Sequence, residues 1–406
     1  MKTNIFLKIF FIFFISFLFF NCQQPSSGGG SGSSGGGDDE EITPAITYTV
    51  SYDGNGNVTG SIPAAAKSYE EGQVVTVLGN TGNLTRNNYS FAGWNTESDG
   101  SGISYNPGQT FILETSNVVL YAIWKNIYIA GHDSTTSYSC YWKDNMKTIL
   151  DSSGFSDAYS INAYNGTVYT AGFDSSNCAC YWTNTSKTIL DAPGSTAHSM
   201  IVYNGTVYSA GDAPGQDNNY TACYWTGTTK IILDSTPYSF SEAASIYVYN
   251  GTIYTAGHDG SGNLCYWTGT SKTIIDSSGG RVYSIFVYND TVYISGYDNS
   301  NHACYWIGTT KTILDSSSGD SYAFSIFVDN GTIYTVGIDS SNHACYWKGT
   351  TKTSLNGSNA SGIFIKNGII YTSGRDNSGH PCYWIGTDIS ILDYTNNGYG
   401  FSIFVQ

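Results

Sequence analysis

Basic side chains are scarce in this 406-residue chain: 16 Lys and Arg stand against 31 Asp and Glu, a formal charge of −15. A surplus of that sign repels phosphate backbones and anionic bilayers. Nucleic acid is therefore excluded as a partner, and membrane contact has to come through an anchor rather than a basic patch. Charged residues of both signs make up only 12%, and the few Lys, Glu and Ala runs argue against long helices. Thr, Tyr, Val and Ile between Gly, Asn and Asp turns read instead as strands. From residue 126 onward the only arginines are Arg281 and Arg375, and the only glutamate is Glu242. A triple-arginine carboxylate clamp, or a glycosidase pair of carboxyl groups in distinct environments, has little to be built from.

Long apolar runs are missing too. Ile9 to Phe20 spans 12 residues, short of the roughly 20 that cross a bilayer. Behind Lys2 and Lys8 it reads as an export signal over 1–21. A cysteine, Cys22, stands between that run and a Gly/Ser tract reaching Gly37. This arrangement resembles the lipobox of bacterial lipoproteins, although Phe19, Phe20 and Asn21 occupy the positions where Leu and two small residues are usual. The resemblance implies lipid attachment at Cys22 and an exported protein anchored to the cell envelope, at the outer membrane or cell surface. An ordinary signal peptide with an incidental cysteine, or an uncleaved anchor, is the other reading. Residues 22–44, closed by Asp38-Asp39-Glu40-Glu41, form a solvated tether with a typical reach of roughly 25 Å.

Residues 45–125 contain no cysteine. Strands are expected at Tyr48–Tyr52, Val74–Leu78, Asn88–Trp94 and Val118–Trp124, with a turn at Asp53-Gly54-Asn55-Gly56. The ordered set Tyr48, Val50, Tyr52, Asp53, Glu71-Gly72, Tyr89-Ser90-Phe91-Ala92-Gly93-Trp94, Tyr105-Asn106-Pro107-Gly108 and Leu120-Tyr121-Ala122-Ile123-Trp124 resembles the Listeria–Bacteroides repeat, or internalin B-repeat. The resemblance implies a small β-grasp-like module of bacterial surface proteins that carries no catalytic residues. Trp94 and Trp124 are expected in its core.

Residues 126–406 are repetitive. Cys-Tyr-Trp recurs at Cys140, Cys180, Cys223, Cys265, Cys304, Cys345 and Cys382, a period near 40 that marks a propeller with one four-stranded blade per repeat. Ser325-Ile326-Phe327-Val328 is strand A of such a unit, Ile333 to Val336 strand B, Ala344 to Trp347 strand C, and Lys352 to Leu355 strand D. Asn-Gly between A and B is a tight hairpin signal. The first repeat opens on strand B at Ile127, whereas Phe401 to Val405 is a strand A without a B after it. The expected fold is all-β: a seven-bladed β-propeller closed by pairing 401–405 with 127–130, preceded by the β-grasp-like module. Val-x-Asn-Gly-Thr-Ile-Tyr-x-x-Gly resembles the Kelch repeat, without its second Gly.

The eight cysteines of the repeats are expected to be buried free thiols, since equivalent positions in neighbouring sheets lie too far apart to bridge. His302, His343 and His380 each stand two residues before a cysteine, but once per repeat, so three or four zinc ligands do not converge. Asp133, Asp174, Asp212, Asp259, Asp298, Asp339 and Asp376 open the B–C loops and, with the Asp residues ending the D strands, mark a candidate binding face. Lys147, Lys187, Lys230, Lys272, Lys311 and Lys352 are expected on the opposite rim. Each Asp reads as an Asx-turn cap or as part of a face for a cation or basic partner. No cofactor is expected, with Ca²⁺ left open. Two segments depart from the repeat, Asp212 to Tyr220 and Pro237 to Ala243. The expected function is a non-catalytic adhesion or recognition module that binds protein or glycan at a propeller face. The alternatives are a carbohydrate-active glycosidase or lyase, and an envelope scaffold for a protein partner.

Overall fold

The computed structural model describes residues 46–63, 67–87, 89–215, 219–395 and 397–406; Cys22 and the export signal and tether assigned above lie outside them. The described chain is all-β and contains no helix. Its first part is a five-stranded sheet in the order Lys67–Glu70, Thr47–Asp53, Val118–Lys125, Ser90–Asn95, Ser104–Tyr105, beside a two-stranded sheet of Val74–Thr76 and Thr110–Ile112. Thr47–Asp53 runs parallel to Val118–Lys125. Trp94, Leu113 and Leu120 fill the core between these sheets. The Trp94 indole donates to the Leu78 carbonyl at 2.8 Å, and Trp124 donates to Gly54 at 3.1 Å. The first strand succeeds because Val50 and Tyr52 alternate inward while Thr49 and Ser51 face out.

This part is fused to the repeats. Ala92 and Ile123 share an apolar cluster with Ile127, Ile369, Tyr371, Tyr383 and Ile385. The buried Tyr371 hydroxyl donates to the Ala92 carbonyl at 2.9 Å, and the Ile370 amide donates to Asn106 Oδ1 at 2.8 Å.

Seven four-stranded antiparallel sheets follow, each ordered A-B-C-D. In the second sheet these strands are Asp157–Tyr164, Thr167–Phe173, Cys178–Thr183 and Ser186–Pro193. The A strands of the third to seventh sheets are Thr196–Tyr203, Glu242–Tyr249, Gly280–Tyr288, Tyr322–Asp329 and Asn359–Lys366. The first sheet takes its B, C and D strands from Ile127–Asp133, Tyr138–Lys143 and Met146–Ile149, and its A strand from Gly398–Val405. The register pairs Val405 with Ile127 and Gly398 with Asp133, so the closing strand is longer than expected at its start. Each A strand packs on those of the sheets before and after it, and the A strand of the seventh sheet packs on that of the first.

Two sequence features explain each sheet. Asn165-Gly166 and its counterparts adopt left-handed backbone at both central positions of the A–B turn, φ 48° and 77° in that case, as a two-residue hairpin requires. The tryptophans of the Cys-Tyr-Trp triplets are fully buried and fill the space between successive sheets. All eight repeat cysteines are free and buried. Burial pushes the thiols of the seven triplet cysteines far up, so they act as small apolar packing groups.

Candidate functional site

The aspartates marked as a binding face do not present open carboxylates. Asp133, Asp174, Asp259, Asp298 and Asp339 are buried, and Asp376 is half-buried. One oxygen of each caps its own loop, as when Asp259 Oδ1 accepts from the Ser261 and Asn263 amides, both at 3.0 Å. The other oxygen, in all but Asp376, takes a lysine. Lys147 reaches Asp133 at 2.8 Å, Lys187 reaches Asp174 at 2.7 Å, Lys272 reaches Asp259 at 2.7 Å and Lys352 reaches Asp339 at 2.8 Å. The expected separation of Asp and Lys onto opposite rims is therefore corrected: the lysine stem runs along its sheet and delivers Nζ to the acidic end.

Each lysine also reaches back to the Asp ending the D strand of the preceding sheet. Lys187 meets Asp151 at 3.1 Å, Lys230 meets Asp191 at 2.7 Å, Lys311 meets Asp276 at 3.0 Å, and Lys147 meets Asp393 of the seventh sheet at 2.7 Å. The seventh sheet departs twice at once. Ile389 stands where the lysine would be, and Asn356 replaces the Asp before it. Asp376 there takes His380 Nδ1 at 3.0 Å instead. Losing the cation and its second anion together is what a paired clasp requires, since either one alone would leave a charge unmatched.

Burial alone would raise the Asp151 carboxyl, but the Ser153 and Ser175 amides and Lys187 outweigh it and hold it at about 2. Asp234, Asp259, Asp276, Asp315, Asp339 and Asp376 are held down in the same way, burial again being outweighed by hydrogen bonds and neighbouring cations. Their folded values lie below the unfolded ones. Their stabilisation is thus complete above about pH 4–5 and lost as pH falls toward 2. Asp144 and Asp388, raised mainly by burial, act in the opposite sense but are outnumbered. The melting temperature is expected to be flat from pH 5 to 7 and to fall steeply below pH 4. Equal melting at pH 3 and pH 7 would dismiss the clasp as a source of stability.

Asp212 is the exception among the seven. The other six lie two residues past a strand-B glycine, but Asp212 directly follows Gly211. It therefore occupies the column of His132, Phe173, His258, Tyr297, Ile338 and Arg375, and faces inward.

That column leads to a different site. Every A strand carries a β-bulge at one position: between Ala158 and Ser160, Ala197 and Ser199, Ala243 and Ser245, Val282 and Ser284, Ala323 and Ser325, Ala360 and Gly362, and Gly400 and Ser402. The extra residue is Tyr159, His198, Ala244, Tyr283, Phe324, Ser361 and Phe401 in the second to seventh and first sheets respectively. A bulge re-aims one side chain out of the ladder, and all seven of these line one cavity. Above it opens a cavity of about 420 Å³ that also takes in Glu242, Arg281, Asn359 and Tyr399, each two residues before a bulge residue. The flanking residues are nearly constant from sheet to sheet, whereas the bulge residues facing the cavity are Tyr twice, Phe twice, and His, Ala and Ser once each.

A strand-B glycine makes each bulge possible. A Cβ on Gly257 would lie 1.9 Å from the Glu242 carbonyl oxygen, and one on Gly172 would lie 1.9 Å from that of Asp157. Only a residue without a side chain lets the bulged strand come so close.

The cavity rim is ionic, and its carboxylates each lie against a guanidinium or imidazole nitrogen. Arg281 Nη2 donates to both oxygens of buried Glu242, at 3.0 and 2.9 Å. His198 Nε2 lies 2.6 Å from Asp212 and 3.7 Å from Glu242. Burial would lower His198, but Asp212 and Glu242 outweigh it and hold it above the usual histidine range. His258, beside the same glutamate at 4.0 Å, is lowered because burial wins there. Asp157 accepts from the Tyr159 hydroxyl at 2.9 Å and lies 2.8 Å from His132. Arg375 donates to the Tyr399 hydroxyl at 2.7 Å.

Of the two irregular segments, Pro237 to Ala243 delivers Glu242 to the cavity. In the other, Asp212 reaches the rim while Tyr220 packs on Phe240. A larger cavity of about 700 Å³ lies between the first part and the edges of the first and seventh sheets. Its Asp144 is engaged in joining the two, accepting from Ser90 at 3.0 Å and from the Ile127 amide at 2.9 Å. Among the described residues no group of three or more His, Cys, Asp or Glu is placed to hold a metal ion.

Residues 48–123 match the Listeria-Bacteroides repeat domain family. Two relatives from Evansella cellulosilytica are similar to part of this chain. One, provisionally named a Gly-rich membrane protein, is 41% identical over 88 residues, covering 21% of this chain and 10% of its own length. The other, provisionally named a membrane protein, is 43% identical over 77 residues, covering 19% of this chain and 11% of its own. The chain thus spans about a tenth of these relatives. Among solved structures, the computationally designed Ika8 protein matches 66% of this chain and 82% of its own at 13% identity, with a TM-score of 0.39; nothing below rests on that likeness.

Proposed function

We propose that this chain is an exported, lipid-anchored recognition protein of the bacterial cell surface. Cys22 carries the acyl anchor and residues 23–44 the tether. A Listeria–Bacteroides module stands on a Kelch-like seven-bladed β-propeller, and the propeller holds a ligand at the mouth of its central channel without transforming it. The succession of A strands, each packed on the next and the last on the first, supports the propeller reading. The observation that carries the functional reading is the gathering of the repeat-breaking residues at one cavity. Where repeats are otherwise nearly identical, positions that differ and converge are those given over to a ligand. A binding role fits better than catalysis. Among the described residues of the cavity, Glu242 gives both oxygens to Arg281, Asp212 Oδ1 holds His198 and Asp157 Oδ2 accepts from the Tyr159 hydroxyl, so each carboxylate already has a partner that a general base would have to give up. Calcium is given no part in it, because five of the seven loop aspartates are paired with lysines, and Asp376 and Asp212 with His380 and His198.

Two measurements test this. Labelling cells with a palmitate analogue is expected to tag the wild-type chain and not Cys22→Ser, which should be released from the membrane fraction. Arrays of glycans and extracellular-matrix proteins are expected to yield a ligand that binds equally with Ca²⁺ or EDTA and is recovered unchanged in mass. A cleaved ligand would make the protein an enzyme, and an array blank in every class would remove the recognition reading.

A further inference from the structure

The seven bulge residues are not distributed evenly around the cavity. Phe401, Tyr159 and His198 follow one another on the first, second and third sheets, with ring centroids 5.3 Å apart for Tyr159–Phe401 and 5.9 Å for Tyr159–His198. Tyr283 and Phe324 follow on the fifth and sixth, 5.0 Å apart. Between these two groups stand small residues, Ala244 on the fourth sheet and Ser361 on the seventh. The cavity is thus a slot with two aromatic walls and two narrow ends. Each end is topped by polar groups of its own sheet or the next: the Glu242–Arg281 pair beside Ala244, and Asn359, hydrogen-bonded to the Ser361 hydroxyl, at the other. The floor is a ring of serines. Ser160 accepts from the Met200 amide at 3.0 Å and Ser245 from the Ile285 amide at 3.1 Å, which ties neighbouring A strands together beneath the ligand.

We infer that this slot takes one neutral sugar ring, the free or terminal pyranose of an oligosaccharide, with its C–H faces against the two aromatic walls and its hydroxyls toward Glu242–Arg281 and Asn359. The inference rests on the recognition reading above and names its ligand. The volume of about 420 Å³ falls within the range of small-molecule sites, about 300–1,000 Å³. Charge decides between ligand classes. Glu242, Asp212 and Asp157 already face Arg281, His198 and His132. A cationic ligand would have to break one of these pairs and leave a buried partner unmatched, and an anionic one would find outside them only Arg375, which already donates to the Gly379 carbonyl and the Tyr399 hydroxyl. A polyol needs no such exchange. It donates to carboxylate lone pairs and accepts from guanidinium N–H groups that are still paired to each other. A quaternary ammonium wants aromatic faces around an uncompensated negative site, and here Glu242 is already paired with Arg281 and Asp212 with His198. A nucleotide could stack in the slot, but its phosphates would meet a chain of net charge −15.

The experiment is a glycan array followed by calorimetry with the full chain. The probes are neutral hexose and N-acetylhexosamine oligosaccharides, sialylated and uronic-acid glycans, choline, and extracellular-matrix proteins. Wild type is expected to hold neutral glycans, free or immobilised. Ala244→Trp fills one narrow end without removing a polar contact, and Ser361→Trp fills the other at the cost of the Ser361–Asn359 hydrogen bond. Each is expected to weaken neutral-glycan binding at least tenfold with melting unchanged within a few degrees. Should a tryptophan variant fail to fold, Asn359→Ala carries the same test, with a loss of several-fold. Selective binding of sialylated, uronic or choline probes would overturn the inference, as would neutral-glycan binding that survives all three substitutions. A matrix protein bound by wild type and lost in the variants would overturn the sugar and keep the site. No ligand of any class would end the recognition reading itself.

Discussion

A chain ending at Asn397 is expected to lose more than about 10 °C in melting temperature. The missing strand, Gly398–Val405, is the whole A strand of the first sheet. Ile403 and Val405 are buried, and Phe401 and Phe404 are half-buried against neighbouring sheets. At about 1.5–3 kcal/mol for each fully buried apolar side chain, and less for half-buried ones, the apolar term alone reaches about 5–8 kcal/mol. A whole domain is stable by about 5–15 kcal/mol. Removal also strips the ladder partner from Ile127–Asp133 and opens an edge that invites aggregation. It takes away Tyr399 and Phe401, so ligand binding should vanish with stability. A synthetic peptide of residues 398–406 supplied in trans is expected to restore part of the melting temperature by adding the strand back. Calorimetry decides: a truncated chain melting within about 3 °C of the parent would mean that this strand closes nothing.

The path from sequence to fold is short in the repeats because their signals are local and recur from repeat to repeat. Asn-Gly turns, the buried Cys-Tyr-Trp strand and the unpaired B and A strands at the two ends each state a pairing by themselves. In the first part the signals were thinner. Lys67–Glu70, Ser104–Tyr105 and Thr110–Ile112 are four, two and three residues long, too short to show a period. The site was harder still. The Asp residues stand out in the sequence because they recur, yet recurrence marks the clasp that holds sheet to sheet. The ligand-facing residues were hidden by the opposite property. Tyr159, His198, Ala244, Tyr283, Phe324, Ser361 and Phe401 do not repeat one residue type as the loop aspartates do, and the sequence pattern starts strand A after them, at residues such as Ser325, whereas the strand begins at Tyr322. The clue was present in the strand-B glycine. It belongs to the Kelch-like pattern, but a glycine inside a strand also signals a bulge in its partner. Asp212 was grouped with the loop caps because the third repeat is one residue short between its glycine and its aspartate, a shift that turns a side chain to the other face.

That glycine carries the second large expectation. Gly257→Ala should destabilise the protein by about 3 kcal/mol or more, whereas Gly251→Ala should cost only about 1–2 kcal/mol. The two positions separate space from conformation. Gly251 has a φ of +78° in the A–B turn with no atom within 4 Å of a new Cβ, so alanine meets only the left-handed backbone penalty. Gly257 has an ordinary extended backbone, but its Cβ would stand 1.9 Å from the Glu242 carbonyl oxygen, 2.8 Å from the carbon of that carbonyl and 3.1 Å from Ala243 Cα. These are backbone atoms and cannot swing aside. Relief requires strand A of the fourth sheet to move away or surrender its bulge, and either movement displaces Glu242 and Ala244 at the cavity. Gly257→Ala should therefore lose ligand affinity in excess of its loss of stability when both are measured well below the melting point, while Gly251→Ala should bind as wild type does. If Gly257→Ala costs no more than Gly251→Ala, the bulge is not held by that close approach, and the aim of the seven cavity residues needs another cause.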